Sequence, residues 1–280
     1  MLEVRGLTKQ YGNTFAIRDV SFSAEAGEIV GLIGHNGCGK STTMNIIAGY
    51  IVPTSGSVLI DGEDFSENTR TAREKIGYLP ETPPLYSDLT VEEQLSFAAG
   101  LRGIKDRKAA ISDACRKADV GAVSSRLIRN LSKGYRQRVG LAQAFLGDPP
   151  IIILDEPSNG LDPRQIAEMR SIIRSESGSK TIIMSSHVLS EVELLCDRLV
   201  IISNGMVAAS RTIEELKHMC RPAAGSYDIT VDGVSDVEAI RRQVESMNCR
   251  VSSISEAFPS LESVFIRLTN DERYRKEAAE

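Results

Sequence analysis

The sequence predicts an α/β protein built on a largely parallel sheet, and two observations carry that reading. Short apolar runs of strand length recur at residues 28–33, 151–154, 181–184 and 199–203. Helix-like patterns separate them, the alternation expected when helices connect parallel strands. A third observation, a composition shift after about Lys217, adds a smaller C-terminal unit to this core.

Each element has a local cause. Residues 28–33 form an apolar run ending in a Gly-rich turn, and residues 43–48 continue as a helix. Thr90-Val91-Glu92-Glu93 has capping-box spacing, the hydroxyl serving one end of the turn and the carboxylate reaching back. Asp162-Pro163 places a cap residue before a proline whose missing N–H costs nothing at the first helical position. Ile166, Met169 and Ile173 follow at helical spacing and mark a core-facing stripe. Beyond residue 222, alternation predicts strands at 227–231 and 250–254. Helices are expected at 236–247 and 261–268, with a solvated tail at 271–280. Together these form a small α+β appendage over 222–280.

Composition narrows the function classes. A chain of 280 residues with 41% hydrophobic and 25% charged residues can bury a core and fits one large or two modest domains. The formal charge of −5 argues against a nucleic-acid partner held by a broad cationic field. Residues 222–280 hold eleven acidic and seven basic residues, so most of the acidic excess lies there. No apolar run reaches the ~18 residues of a membrane-spanning helix, and the first residues, Met1-Leu2-Glu3-Val4-Arg5, do not read as a signal peptide. The expectation is a chain that does not cross a bilayer by itself. Five dispersed cysteines lack metal-ligand spacing and read as free thiols of a reducing cytoplasm.

The strongest chemical signal is Gly34-His35-Asn36-Gly37-Cys38-Gly39-Lys40-Ser41, followed by Thr42. It fits the phosphate-loop pattern, directly after a strand and before a helix. Glycines let backbone N–H groups approach phosphate oxygens, and the helix that follows presents its positive end. Lys40 can neutralise β- and γ-phosphates, and the Ser41 hydroxyl can ligate Mg²⁺. A Gly-rich turn can merely join strand to helix, but a bare connection does not require the lysine and hydroxyl. Ile151-Ile152-Ile153-Leu154 then delivers Asp155 and Glu156 at the end of a buried strand. Asp155 can hold Mg²⁺ directly or through water, and Glu156 can orient or deprotonate an attacking water.

With these motifs the sequence resembles the ATP-binding subunits of ABC transporters over almost all of residues 1–220. Leu131-Ser132-Lys133-Gly134-Tyr135 stands where the family has its signature, and Pro157-Ser158-Asn159-Gly160-Leu161-Asp162 looks like its D-loop. Ser185-Ser186-His187 resembles the switch-histidine segment, and Tyr11 stands at the adenine-stacking position. The resemblance implies a P-loop ABC ATPase core over 1–220 with a helical subdomain at about 82–145. It also implies ATP and Mg²⁺ as cofactors, with catalytic Lys40, Glu156 and His187. Nucleotide contacts would come from Tyr11, Gly34 to Thr42 and Glu81, and metal contacts from Ser41, Asp155 and Glu81. Ser132, Lys133, Gly134 and Tyr135 would act across a dimer, with Asp162 in the D-loop.

Three residues depart from the family pattern. Lys133 and Tyr135 replace the usual Gly and Gln of the signature, and Glu81 stands where most members have the Q-loop glutamine. A carboxylate there can still approach Mg²⁺ but adds negative charge near the phosphates. These substitutions, and a closing segment Ser260-Leu261-Glu262-Ser263-Val264-Phe265, resemble the ABC-2-type exporter ATPases of gliding motility and copper-enzyme maturation. The implied partners are a second ATPase subunit, as a homodimer, and a transmembrane permease, with no nucleic acid. The implied location is the cytoplasmic face of the membrane, reached through the permease only. Pro83-Pro84-Leu85-Tyr86 can serve as the permease contact or pack within the helical subdomain. A regulatory ATPase that controls a membrane complex without transport would use the same cycle. A soluble role in DNA repair or translation is disfavoured, because no long coiled-coil insertion separates the phosphate loop from the signature.

Overall fold

A computed structural model describes residues 1–65, 69–219, 227–230 and 253–256. Its centre is a six-stranded sheet of β3 (Ile29–Ile33), β6 (Ile76–Leu79), β7 (Ile151–Leu154), β8 (Thr181–Ser185), β9 (Arg198–Ser203) and β10 (Met206–Thr212). The spatial order is β10-β9-β3-β8-β7-β6. All pairs are parallel except β10 with β9. A second sheet, β2-β1-β4-β5, is antiparallel and joins β1 (Leu2–Tyr11), β2 (Thr14–Ala24), β4 (Ser55–Ile60) and β5 (Glu63–Asp64).

Period-two alternation divides the central strands between two cores. Ile29, Ile152, Leu154, Ile182, Met184, Leu199 and Ile201 face one core, packed with α3 (Val91–Leu101), α4 (Arg107–Lys117), α5 (Lys133–Phe145), α6 (Pro163–Glu176) and α7 (Leu189–Leu195). Val30, Leu32, Ile151, Ile153, Ile183, Val200 and Ile202 face the other, packed against the antiparallel sheet and α1 (Lys40–Ile47). Burial on both faces is why these strands read as unbroken apolar runs rather than alternating ones. Gly77 in β6 permits a close approach of α5, since a Cβ there would lie 2.0 Å from the Ala144 carbonyl oxygen.

The expected caps form. Thr90 accepts from the Glu93 N–H while the Glu93 carboxylate accepts from the Thr90 N–H, and Asp162 makes the same exchange with Gln165 ahead of Pro163. Pro83 sits beside Gly140 and Leu85 packs on the helical core, whereas Tyr86 is exposed and meets Phe97 edge-on at 5.5 Å. Thus the 83–86 segment divides between inward packing and an outward aromatic pair. The connecting helices also include α2 (Thr69–Glu74) and α8 (Ile213–Met219).

Near the C-terminus, β11 (Tyr227–Thr230) pairs antiparallel with β12 (Ser253–Glu256). The second of these strands runs two residues past the end expected from alternation. The helices expected at 236–247 and 261–268, the tail at 271–280 and the segment Ser260 to Phe265 lie outside the described residues. Among the described residues, no helix is long and apolar enough to cross a membrane. Cys38, Cys115 and Cys196 are buried free thiols.

Candidate functional site

Parallel strands put their carboxyl ends on one edge, and the order β3-β8-β7-β6 makes the loops that follow them neighbours. The phosphate loop follows β3, Ser186-His187 follows β8, Asp155-Glu156 follows β7, and Pro80-Glu81 follows β6. Segments far apart in sequence are thereby gathered at one place.

The phosphate loop closes into α1 at Gly39, whose φ of 111° is open to glycine and strained for other residues. Lys40 is buried, its Nζ donating to the carbonyls of Gly34 at 2.8 Å and His35 at 3.2 Å. The ammonium is therefore held inside the loop, where a phosphate would meet it. Beside the loop lies a cavity of about 370 Å³. Asn36, Gly37, Gly39, Lys40, Ser41 and Thr42 of the loop line it together with Ala16, Glu81, Glu156, Asn159 and His187. Gly34 and His35 border a neighbouring recess with Asn36, Ser186 and His187. Burial pushes the Cys38 thiol above its usual range, so this loop cysteine stays protonated at neutral pH.

Glu156 occupies the left-handed region at φ 49°, a costly conformation for a non-glycine residue. Its carboxylate accepts from His187 Nδ1 at 2.7 Å and from the His187 N–H at 3.4 Å. Because a carboxylate only accepts, the imidazole carries its proton on Nδ1 and leaves Nε2 to face other partners. Asp155 is buried and accepts from Ser185 Oγ at 2.6 Å, while the same oxygen accepts from the Glu156 N–H at 2.9 Å. One buried hydroxyl thus sets both acidic residues. Glu81 Oε1 accepts from Asn159 Nδ2 at 2.7 Å. Glu191 is buried close by on α7, and burial pushes its carboxyl up, with the Ser158 hydroxyl opposing that shift.

Ser41, Asp155 and Glu81 offer hard oxygen donors. Among the described residues, no cluster of three or more His, Cys, Asp and Glu could hold a metal by itself. A hydroxyl and one or two carboxylates that need phosphate oxygens to complete a shell suit Mg²⁺ better than a tight, all-protein cage.

The remaining sequence-derived residues stand apart from the cavity. Tyr11 is 51% exposed at the end of β1, with Lys9 Nζ 5.2 Å from its ring centroid. Ser132 caps α5 by accepting from the Tyr135 N–H at 3.3 Å; Ser132, Lys133 and Tyr135 are exposed, while Gly134 is buried. Gly134 leaves room for the Gln165 side chain, and Gly160 leaves room for Lys133, whose Nζ would lie 2.1 Å from a Cβ there. Asp162 is spent on capping α6. The sequence motifs do not single out Ala16, Asn159 or Ser185 as site residues. Ser185 and Asn159 lie inside recognised motifs, yet only the fold reveals whom they bond.

Fold and site together define a phosphate-loop nucleotide-binding protein. A family model described as ABC transporter matches residues 17–159. The bacitracin transport ATP-binding protein BcrA of Bacillus licheniformis is 38% identical over 219 residues, covering 78% of this chain and 71% of that one. A solved ATP-binding subunit of an ABC transporter superposes with a TM-score of 0.74 at 31% identity, covering 96% of this chain and 99% of the other. The dimeric, post-hydrolysis cassette MJ0796 bound to ADP and Pi aligns with a TM-score of 0.68 at 25% identity, covering 76% and 99%. The chain belongs to the ABC transporter family, as an ATP-binding, ATP-hydrolysing subunit.

Proposed function

We propose that this subunit works as a homodimer around two ATP molecules. In this reading it drives export through a separate transmembrane permease of the ABC-2 type, which it joins at the cytoplasmic face of the membrane. Affinity to the gliding-motility and copper-enzyme-maturation exporters belongs to the same proposal and rests on Glu81, Lys133 and Tyr135. The exposed Tyr86–Phe97 pair offers the permease an aromatic contact.

In this reading the backbone from Gly34 to Thr42 cradles the phosphates, Lys40 neutralises them, and Tyr11 packs on the base. Ser41, Asp155 and Glu81 would hold Mg²⁺, which would supply positive charge to the phosphate oxygens when bound. Glu156 orients the attacking water and takes its proton, and His187 fixes the Glu156 carboxylate. Exposed Ser132, Lys133 and Tyr135, with the buried backbone of Gly134, close over the γ-phosphate of the other subunit. Asp162 anchors the intervening loop to α6.

The observation that carries the reading is the 2.7 Å Glu156–His187 contact in a cavity that Lys40 and Ser41 also line. On this reading Glu156 is the base that faces a bound terminal phosphate. Glu156→Gln tests it: ATP binding is retained, turnover falls by about a hundredfold or more, and an ATP-bound dimer accumulates on gel filtration. Undiminished turnover removes Glu156 from catalysis. Co-purification of a membrane-spanning partner whose presence stimulates the ATPase tests the transport role.

A further inference from the structure

Glu81 is an exposed carboxylate on the loop that follows β6, and it lines the cavity. What fixes it there is Asn159, whose Nδ2 donates to Glu81 Oε1 at 2.7 Å across 78 residues of sequence. Asn159 is itself set in a tight turn, its N–H donating to the Glu156 carbonyl at 3.1 Å. Both residues line the same cavity as Lys40 and Glu156. A carboxylate oxygen accepts, so the Asn159 amide presents its NH₂ to this contact. An amide at position 81 could equally present its own NH₂, and the polarity of the bond would then be undetermined.

We propose that Asn159 is a positioning residue for ATP hydrolysis, holding the Glu81 carboxylate at the nucleotide cavity in fixed register with Glu156. The pairing deepens the ATPase reading above and rests on it. It gives position 159 a duty toward its own chain's site. It also explains how a carboxylate is accommodated at 81, since a neutral donor of matching reach stands opposite it. Two acidic groups on one cavity would repel if both were free to approach a phosphate. A tether on one of them keeps its charge at a set distance.

Reversal of the hydrogen bond tests this in the full-length chain. Asn159→Asp alone sets two carboxylates face to face and lowers kcat by about tenfold. Combined with Glu81→Gln it restores one amide and one carboxylate with donor and acceptor exchanged. The double variant then turns over within about threefold of Glu81→Gln alone. Asn159→Ala lowers kcat while KM for ATP and the affinity for a fluorescent ATP analogue in EDTA stay within about twofold. The same loss from Asn159→Asp in both backgrounds overturns the proposal. So does a rise in KM at unchanged kcat, which would put Asn159 on the nucleotide. Melting of the nucleotide-free protein supplies a readout without ATP: Glu81→Ala and Asn159→Ala are non-additive if the pair exists, and additivity overturns it. Wild-type protein without turnover would overturn the ATPase reading alone, leaving the melting cycle to judge the pair.

Discussion

Ser185 Oγ donates to Asp155 and accepts from the Glu156 N–H, so a fully buried hydroxyl serves two acidic neighbours at once. Ser185→Ala leaves a buried Asp155 carboxylate oxygen and a half-buried Glu156 N–H without this partner, which costs about 1–3 kcal/mol. Thermal or urea unfolding checks the loss, and ATP turnover falls with it because Glu156 loses its backbone anchor at φ 49°. Lys40, Ser41, Asp155 and Glu156 were legible in the sequence because their types and spacing follow from contiguous motifs. Ser185 and Asn159 were not, because their partners lie 30 and 78 residues away and depend on strand order. Tyr11 was legible as an aromatic before the phosphate loop, but its exposed ring says nothing about a base until one is bound.

Helix starts were the most readable elements, since a cap acts within four residues. Thr90 combines its side-chain cap with the reciprocal bond to Glu93, and the first turn of α3 depends on both. Thr90→Ala destabilises the fold by about 1 kcal/mol with ATP turnover unchanged; chemical denaturation read beside an ATPase assay checks both halves. The four central strands called by apolar runs appear as β3, β7, β8 and β9. Alternation does not predict the antiparallel sheet, and the cause is visible in β1 and β2. Their pairing shifts register between Val4 and Leu7, again between Leu7 and Lys9, and once more between Lys9 and Gln10. Each shift breaks the period of two on which a strand reading depends. β6 was hidden for a different reason: Gly77 and Tyr78 interrupt its apolar run, and α5 fills the space that Gly77 leaves open.

Across the whole molecule, a cluster of opposite charges ties α4 to the end of α6 and the start of β8. Lys117 Nζ reaches Asp113, Asp148 and Glu176, and Lys180 also pairs with Asp148 and the Pro149 carbonyl. The two lysines hold the Asp148 carboxyl below the usual range. Lys117 is held above its own, its bonds to Asp148 and Asp113 outweighing burial, which is the largest single influence and acts the other way. A lowered carboxyl contributes stability that is present above its unfolded pKa near 3.8 and lost as pH falls through the folded value. A raised ammonium contributes stability present below 10.5 and lost as pH climbs through the folded value. Asp148→Asn therefore lowers the melting temperature at pH 7 and flattens its decline below about pH 4. Melting curves from pH 7 to pH 3 in wild type and variant check both effects, and 1 M salt narrows the difference because Asp148 is largely exposed.

The two glycine contacts beside the signature turn have a consequence for descent and engineering. Lys133 occupies space kept open by Gly160, and Gln165 occupies space kept open by Gly134. Both neighbours are the ends of flexible side chains that can swing aside, so the firmer constraint is the backbone: Gly160 stands at φ 66°, where any other residue is strained. A signature spliced in from a relative would therefore bring a new side chain at 133 at little cost, provided the turn opposite keeps its glycine at 160.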